Sequence, residues 1–288
     1  MFPSEFEYQR AQSVQEAIQL LGSHENAKLI AGGHSLLPMM KLRLAQPELL
    51  IDISHIDGLS GIRADNGSIS IGALTTHYQA ESSPVLKQSC PLIPEVELDV
   101  GDVQVRNRGT VGGNLAHADP ASDLPAVMLA LGADVRVVGP KGERTITADN
   151  FFVDLLTTAL DANEVLTEVR VPAMKPGQGS AYVKHPHPAS HYAVVGVAAV
   201  VTRDAAGNCT GCRVGITGAG PKAVRASATE AALVGKPLTP ENIAEASSHA
   251  ADGMDFLSDA YASEEYRAHL VRVQTRRALA QAAERAKG

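Results

Sequence analysis

Two glycine pairs in the first half constrain this chain more than anything else in it: Ala31-Gly32-Gly33-His34-Ser35 and Thr110-Val111-Gly112-Gly113-Asn114. Glycine has no Cβ to block a close approach, and positive φ costs it little. Paired glycines therefore let backbone N–H groups converge on an anion. Two such turns can hold a pyrophosphate from both sides, which points to a dinucleotide cofactor. One pair alone says little, because the chain carries 25 glycines and most such pairs are simple turns. What matters is the setting. Each pair follows an apolar or turn-like stretch and leads into a hydroxyl, an amide or an imidazole.

The surrounding pattern is mixed helix and strand. Ser13 with Glu16 reads as a capping box, and Val14, Ala17, Ile18 and Leu21 follow at helical spacing with Gly22 as the stop. Residues 28–31 read as a strand entering the first glycine turn. A helix over 36–44, with Pro38 in its first turn, and a buried strand over 49–53 complete a small α/β unit. Asn66-Gly67 signals a hairpin between the strands at 49–53 and 68–73. Pro84, Pro91 and Pro94 break up a helical stretch, and Arg106 and Arg108 precede the second glycine turn. Residues 116–121 read as an irregular loop. Asp123-Leu124-Pro125 opens a helix that Leu131-Gly132 closes. Strands are expected over 134–138, 144–146 and 165–171, and a linker over 172–180. Long strands over 193–202 and 209–216 pair across Ala206-Gly207-Asn208, followed by helices over 240–251 and 263–286.

Composition excludes several partners. The net charge is −7, with no Lys/Arg cluster, so a nucleic-acid ligand is not expected. No apolar run approaches the roughly 20 residues that span a bilayer. The start, Met1-Phe2-Pro3-Ser4-Glu5, lacks the basic and apolar parts of a secretory signal. Three cysteines argue against a disulfide framework and fit a reducing cytoplasm. Cys209-Thr210-Gly211-Cys212 is either a metal or redox pair or two positions on one strand after a turn. His185, His187 and His191 could share an ion, or could sit on a solvated, cofactor-adjacent loop.

The run Leu29-Ile30-Ala31-Gly32-Gly33-His34-Ser35-Leu36-Leu37-Pro38-Met39-Met40-Lys41 and the run Val105-Arg106-Asn107-Arg108-Gly109-Thr110-Val111-Gly112-Gly113-Asn114 together carry a family resemblance. The chain resembles the FAD-binding medium subunits of molybdenum hydroxylases of the aerobic carbon monoxide dehydrogenase type, in the xanthine dehydrogenase superfamily. Phe6-Glu7-Tyr8, Asp119-Pro120-Ala121-Ser122-Asp123 and Tyr182-Val183-Lys184 extend the likeness over nearly the whole chain.

The resemblance implies an α+β fold. A two-lobed FAD-binding domain of the vanillyl-alcohol-oxidase/PCMH type would cover residues 1–175, with lobes over 1–55 and 56–175. A small α/β C-terminal domain over 178–288 would hold a three-stranded sheet plus helices. Residues 31–35 and 110–114 would wrap the FAD pyrophosphate through backbone N–H groups and the side chains of Ser35, Thr110 and Asn114. The implied contact set is Leu29, Ile30, Ala31, Gly32, Gly33, His34, Ser35 and Leu36 with Thr110, Val111, Gly112, Gly113 and Asn114. Asp123 would meet the ribityl or phosphate end. Leu166, Lys184, Val100 and Tyr192 would lie at the flavin ring, Tyr192 covering its face. On the residues alone, Asp123 could equally be a plain helix cap, Tyr192 an ordinary strand aromatic and His34 a turn residue. Arg106 and Arg108 could bind phosphate or form surface ion pairs.

A [2Fe–2S] cluster takes four cysteine ligands, and this chain has three. The resemblance accordingly places a molybdenum cofactor and two [2Fe–2S] clusters on partners, a large molybdenum-binding subunit and a small iron–sulfur subunit, in a cytoplasmic dimer of heterotrimers. No catalytic residue and no metal ligand are expected on this chain itself. The segment from Lys184 to His191, and Asn114 where some relatives carry Asp, depart from the carbon monoxide dehydrogenase pattern. The substrate is therefore left open among carbon monoxide, a purine, an N-heterocycle and an aldehyde. With no second nucleotide motif, a quinone, a cytochrome or oxygen is the expected acceptor. The rival readings are a stand-alone flavin oxidase of a small molecule and a non-enzymatic nucleotide-binding module.

Overall fold

The computed structural model describes residues 1–287; Gly288, the last residue of the expected C-terminal domain, lies outside them. The chain opens with β1 (Glu7–Arg10), α1 (Val14–Ser23), β2 (Ala27–Ile30), α2 (Leu36–Lys41) and β3 (Leu49–Asp52). α1 starts where the capping pattern puts it, the Ser13 hydroxyl accepting the Glu16 amide at 3.1 Å. β3 runs parallel to both β1 and β2, between them. Parallel neighbours need a crossover, and the segment containing α2 supplies it for β2 and β3. β3 is buried throughout and packs with Ala17 and Ile18 of α1.

The second layer holds β4 (Ile62–Asp65) and β5 (Ser68–Gly72), then six short helices. These are α3 (His77–Ser82), α4 (Pro84–Ser89), α5 (Leu92–Glu97), α6 (Val103–Arg108), α7 (Val111–His117) and α8 (Leu124–Leu131). β6 (Asp134–Gly139), β7 (Gly142–Thr147), α9 (Ala148–Phe151), β8 (Phe152–Asp154), β9 (Thr157–Thr158) and β10 (Val165–Pro172) follow. Five of these strands form one antiparallel sheet in the order β4-β5-β10-β6-β7.

Two expectations are corrected here. The Asn66-Gly67 turn joins β5 to β4, not to β3, which belongs to the other sheet. β4 exposes all but its first residue, so it carries no alternation to read. The second glycine segment is not a turn but the first turn of α7. Thr110 caps it, its Oγ1 accepting the Gly113 amide at 3.1 Å. A Cβ on Gly112 would fall 2.6 Å from the Ala73 Cβ, so tight packing onto β5's exit outweighs glycine's poor helix propensity. Residues 116 and 117 consequently lie in helix rather than loop.

The last part contains β11 (Gln178–Pro186), β12 (Ala193–Arg203), β13 (Cys209–Thr217), β14 (Val224–Arg225), α10 (Ser227–Leu233), α11 (Pro240–Ser248) and α12 (Glu264–Arg285). The sheet is antiparallel and has four strands, not the expected three. The extra one, β14, pairs only Val224 and Arg225 with Ile216 and Gly215, too little chain for a periodic signal. α10 was hidden for the same reason.

All eight residues of α8 are buried, as befits a helix apolar on every side. α8 packs on β12 and β13 on one side and on α5 and β10 on the other, so both parts of the chain share it. The loop before it is pinned to the last sheet. Thr217 Oγ1 lies 2.8 and 2.7 Å from the carbonyl oxygens of Pro120 and Ser122, and the Gly218 amide donates to Pro120 at 2.7 Å.

Candidate functional site

The first glycine segment joins β2 to α2. Gly33 has φ of 78°, a conformation that side chains rarely adopt. Among the described residues, the N–H groups of Gly32, Gly33, His34 and Ser35 have no acceptor within the protein. Backbone donors are obligatory hydrogen-bonding groups, so four adjacent free ones make an open anion cradle. Leu29, Ile30, Ala31 and Leu36 around them are only half-buried. His34 is exposed, with Nδ1 3.3 Å from the Gly32 carbonyl.

The second segment lies against the first. A Cβ on Gly32 would meet the Arg108 carbonyl and the Gly109 Cα, and a Cβ on Gly113 would lie 4.0 Å from that of Ala31. Its amides are already engaged. Val111 donates to Thr75 at 2.9 Å, Gly112 to Ala73 at 2.9 Å, Gly113 to Thr110 Oγ1 and Asn114 to the Thr110 carbonyl at 2.9 Å. What this segment offers a ligand is the exposed face of Gly113, the Thr110 hydroxyl hydrogen and the Asn114 amide nitrogen. Asn114 is held by Ser122, whose hydroxyl donates to its Oδ1 at 2.7 Å.

Ser122 leads directly to Asp123, at the start of α8. Asp123 occupies the cap position but makes no cap bond. Its carboxylate instead accepts the Tyr182 hydroxyl on Oδ1 and Lys184 Nζ, at 2.9 Å, on Oδ2. Tyr182 and Lys184 are two apart on β11 and so share a face. Lys184 also donates to the Asp99 carbonyl at 2.9 Å, beside buried Val100. Burial pushes the Asp123 carboxyl up to about 6, with Asp99 adding to it, although Lys184 and Tyr182 both act to lower it. Burial is the largest influence because Asp123 itself is only 5% exposed, so its charged form loses most of its hydration.

Tyr192 stands at the same corner. The residue is 44% exposed, and the amide of the next residue, Ala193, donates to the Ala121 carbonyl at 3.1 Å. Burial, then the charges of Asp119 and Asp123, raise its hydroxyl's pKa. Leu166 is different. It lies 5% exposed on β10, the central strand of the five-stranded sheet, in the same apolar core as Tyr182. Arg106 is committed to Glu81, at 2.8 Å, and to the Val100 carbonyl at 3.1 Å. Arg108 has no ion-pair partner among the described residues.

The histidine loop and the cysteines do not converge. His185 meets Tyr266 edge-on, and His187 packs on Tyr261 while its Nδ1 accepts the amides of Ala189 and Ser190 at 3.2 and 3.3 Å. Cys90, Cys209 and Cys212 are buried free thiols, the last two on β13. Among the described residues, no three His, Cys, Asp or Glu side chains are grouped to hold a metal. Two small hollows, about 210 and 160 Å³, lie between residues 139–141 and 161–164 and beside Cys212 and Met174. Both are too small for a dinucleotide and neither includes a glycine-segment residue.

Sequence reasoning missed one supporting pair. His77 Nδ1 lies 2.7 Å from Glu97 Oε2, with both side chains buried. The His77 ring backs onto Gly109, where a Cβ would fall 2.7 Å from its Cδ2. The two residues lie on different short helices, so nothing in the spacing couples them. Tyr182 was legible only as part of a motif, although its two-residue spacing from Lys184 on a strand signals a shared face.

Residues 4–174 match the family model described as the FAD binding domain in molybdopterin dehydrogenase. The chain belongs to that family. Residues 180–282 match the CO dehydrogenase flavoprotein C-terminal domain. The chain is 41% identical over 280 residues to the carbon monoxide dehydrogenase medium chain of Hydrogenophaga pseudoflava, covering 97% of each. It is 38% identical over 288 residues to the 6-hydroxypseudooxynicotine dehydrogenase complex subunit alpha of Paenarthrobacter nicotinovorans, covering 100% of this chain and 97% of that one. A solved structure of the H. pseudoflava carbon monoxide dehydrogenase, lacking the Mo-pyranopterin moiety, superposes with a TM-score of 0.96 at 43% identity, over 99% of both chains.

This member of the molybdopterin dehydrogenase FAD-binding family is therefore an oxidoreductase subunit whose cofactor is FAD. The α+β architecture, an FAD-binding domain followed by a C-terminal domain, is the one the resemblance implies, apart from the fourth strand. The residues fit the group: four unpaired N–H donors suit a diphosphate, and half-buried aliphatic side chains suit the faces of flat rings. No helix of the described residues is long and apolar enough to cross a membrane.

Proposed function

We propose that this chain is the subunit through which electrons from iron–sulfur clusters of a partner reach an external acceptor, with FAD held across the glycine crossing. One observation carries the reading. A continuous line of contacts and chain neighbours runs from Gly32 through Gly109, Thr110, Asn114 and Ser122 to Asp123 and Lys184. It begins at free amides suited to a diphosphate and ends at a buried ion pair between the two domains.

When bound, FAD supplies both two-electron and one-electron transfer. The chain's own residues then have separate tasks. Gly32, Gly33, His34 and Ser35 donate backbone N–H bonds to the phosphates. Thr110 and Asn114 close the other side with their side chains. Asp123 would meet the ribityl or phosphate end and Lys184 the flavin ring, the two side chains held to each other by their 2.9 Å hydrogen bond. Val100, Leu166 and Tyr192 are assigned to the ring, Tyr192 as its cover. We place the domain boundaries at 1–175 and 178–288.

The partners in this reading are a large molybdenum-binding subunit and a small iron–sulfur subunit, in a cytoplasmic dimer of heterotrimers. Relatives named as a medium chain and as a complex subunit support a multi-subunit assembly. The cysteine count supports it independently, since three thiols cannot supply the four ligands of a [2Fe–2S] cluster. The purified chain should show the blue and near-ultraviolet absorption bands of oxidised flavin, or gain them with added FAD. A colourless chain indifferent to FAD would sink the proposal. Co-purification with a cysteine-rich chain and a very large chain is expected when the chain is isolated from its source cells. Turnover of an organic substrate by this chain alone would favour the stand-alone oxidase instead.

A further inference from the structure

One buried carboxylate holds the two domains together at the cofactor end, and it does so through a residue that the cofactor reading does not use. Asp123 sits at the head of α8, the helix both domains share. Its Oδ2 takes Lys184, and its Oδ1 takes the hydroxyl of Tyr182. Tyr182 is 5% exposed, and its amide is tied to α5, donating to Glu95 Oε1 at 3.2 Å. Glu95 is held in turn by Arg285 of α12 at 2.6 Å.

The hydroxyl reaches Asp123 because the neighbouring strand makes room. Gly196 of β12 faces Lys184 in the ladder, and a Cβ there would fall 2.1 Å from the Tyr182 hydroxyl oxygen. The ring therefore lies across a position where any other residue would displace it. A buried phenol ordinarily needs a hydrogen-bond partner. Here that partner is the carboxylate that also anchors Lys184.

We propose that Tyr182 is a positioning residue: its hydroxyl fixes the Asp123 carboxylate in its ionised form, and that carboxylate aims Lys184 at the flavin end of the site. The claim about Lys184 rests on the FAD reading above; the claim about Asp123 does not. The charged and titratable groups facing Asp123 are Lys184 and Tyr182 on β11, Asp99 between α5 and α6, and Tyr192 before β12. With its carboxyl pushed up to about 6, Asp123 changes charge within a convenient pH range. A phenol donating to a carboxylate favours the charged form. The hydroxyl therefore contributes most above that pH and little below it, whereas a purely space-filling role would not vary with pH.

Tyr182→Phe keeps the ring and removes only the hydroxyl. The test compares the Tm of the full chain and of Tyr182→Phe, without FAD, at pH 5 and pH 8, with circular dichroism confirming the fold. The drop should be clearly larger at pH 8. In an Asp123→Asn background, Tyr182→Phe should cost the same at both. An equal cost at both pH values in the native background overturns the positioning role. FAD titration at pH 8, followed by flavin fluorescence, should show Tyr182→Phe binding about tenfold more weakly, the equivalent of one pK unit of lost interaction. A pH-dependent Tm loss with unchanged FAD affinity overturns the claim about Lys184. Failure of the unaltered chain to bind FAD overturns the cofactor reading, while the Tm pair still decides the role of the hydroxyl.

Discussion

Gly32 and Arg108 touch backbone to backbone: a Cβ on Gly32 would fall 2.0 Å from the Arg108 carbonyl oxygen. Neither partner is a flexible side-chain tip that could swing away. The two glycine segments are thus one structural unit rather than two loops that meet through a ligand. His77, braced by Glu97, backs the crossing from the interior.

Gly32→Ala should therefore damage the fold and the cofactor site together. Overpacking against main chain costs about 1–3 kcal/mol, and here the backbone itself must move. The expected outcome is a lower Tm already in the FAD-free chain, with flavin lost on gel filtration. An FAD-free Tm equal to that of the unaltered chain would show that the segments are not locked together before the cofactor arrives.

Gly113→Ala should separate the two effects. Gly113 is exposed, and apart from Thr110 Oγ1 at 2.7 Å its Cβ would meet nothing closer than 4.0 Å. Displacing Oγ1 weakens the α7 cap by about 0.5–2 kcal/mol, while alanine gains about 1 kcal/mol over glycine within a helix. Stability should hardly change. FAD affinity should fall, because the new methyl stands on the face offered to the ligand. Equilibrium dialysis against FAD, set beside urea unfolding, reads both.

These two glycines also show what the sequence can and cannot disclose. Pairing and flanking residues mark both segments as sites of close approach. They do not reveal that Gly112 is close to Ala73 and Gly113 to open space, because that depends on how α7 docks on β5. Longer elements were legible: α1 from its cap and periodicity, β12 and β13 from apolar runs around Ala206-Gly207-Asn208. α10 and β14 are too short for any period to show. The Asp123–Lys184 pair was visible only as two separate family positions, since no local pattern couples a helix start to a strand in the next domain.

Lys184→Met should be most harmful at alkaline pH. Removing one member of a buried ion pair leaves the other charge unpaired, at about 3–5 kcal/mol. Asp123 avoids part of that cost by taking up a proton. Its carboxyl, already raised by burial to about 6, rises further once the ammonium is gone. A raised carboxyl pKa means that the folded chain holds a proton the unfolded chain has released, so stability declines as pH increases from about 4 through the folded value. The stability deficit of the variant should be large at pH 8 and small at pH 5. Urea unfolding at the two pH values measures it, and a deficit independent of pH would mean that Asp123 stays ionised throughout.

Glu168 should govern the acid limb of the stability curve with the opposite sign. Burial acts to raise its pKa, but Arg170 at 2.6 Å and Arg136 at 3.2 Å outweigh burial and hold it below the usual range. Arg63 adds a third guanidinium from β4, at 3.3 Å, so the carboxylate ties β4, β10 and β6 together across the sheet. A depressed carboxyl pKa contributes stability that is complete above the ordinary glutamate range and is lost as pH falls through the folded value. Glu168→Gln removes the charge while keeping the shape. At pH 7 the variant should be less stable, with three guanidinium groups left crowded together. The difference from the unaltered chain should narrow steadily from about pH 5 downward, since there the native carboxylate is itself being neutralised. Chemical unfolding between pH 3 and 7 follows this directly, and parallel curves for the two chains would show that the arginines do not lower the Glu168 pKa.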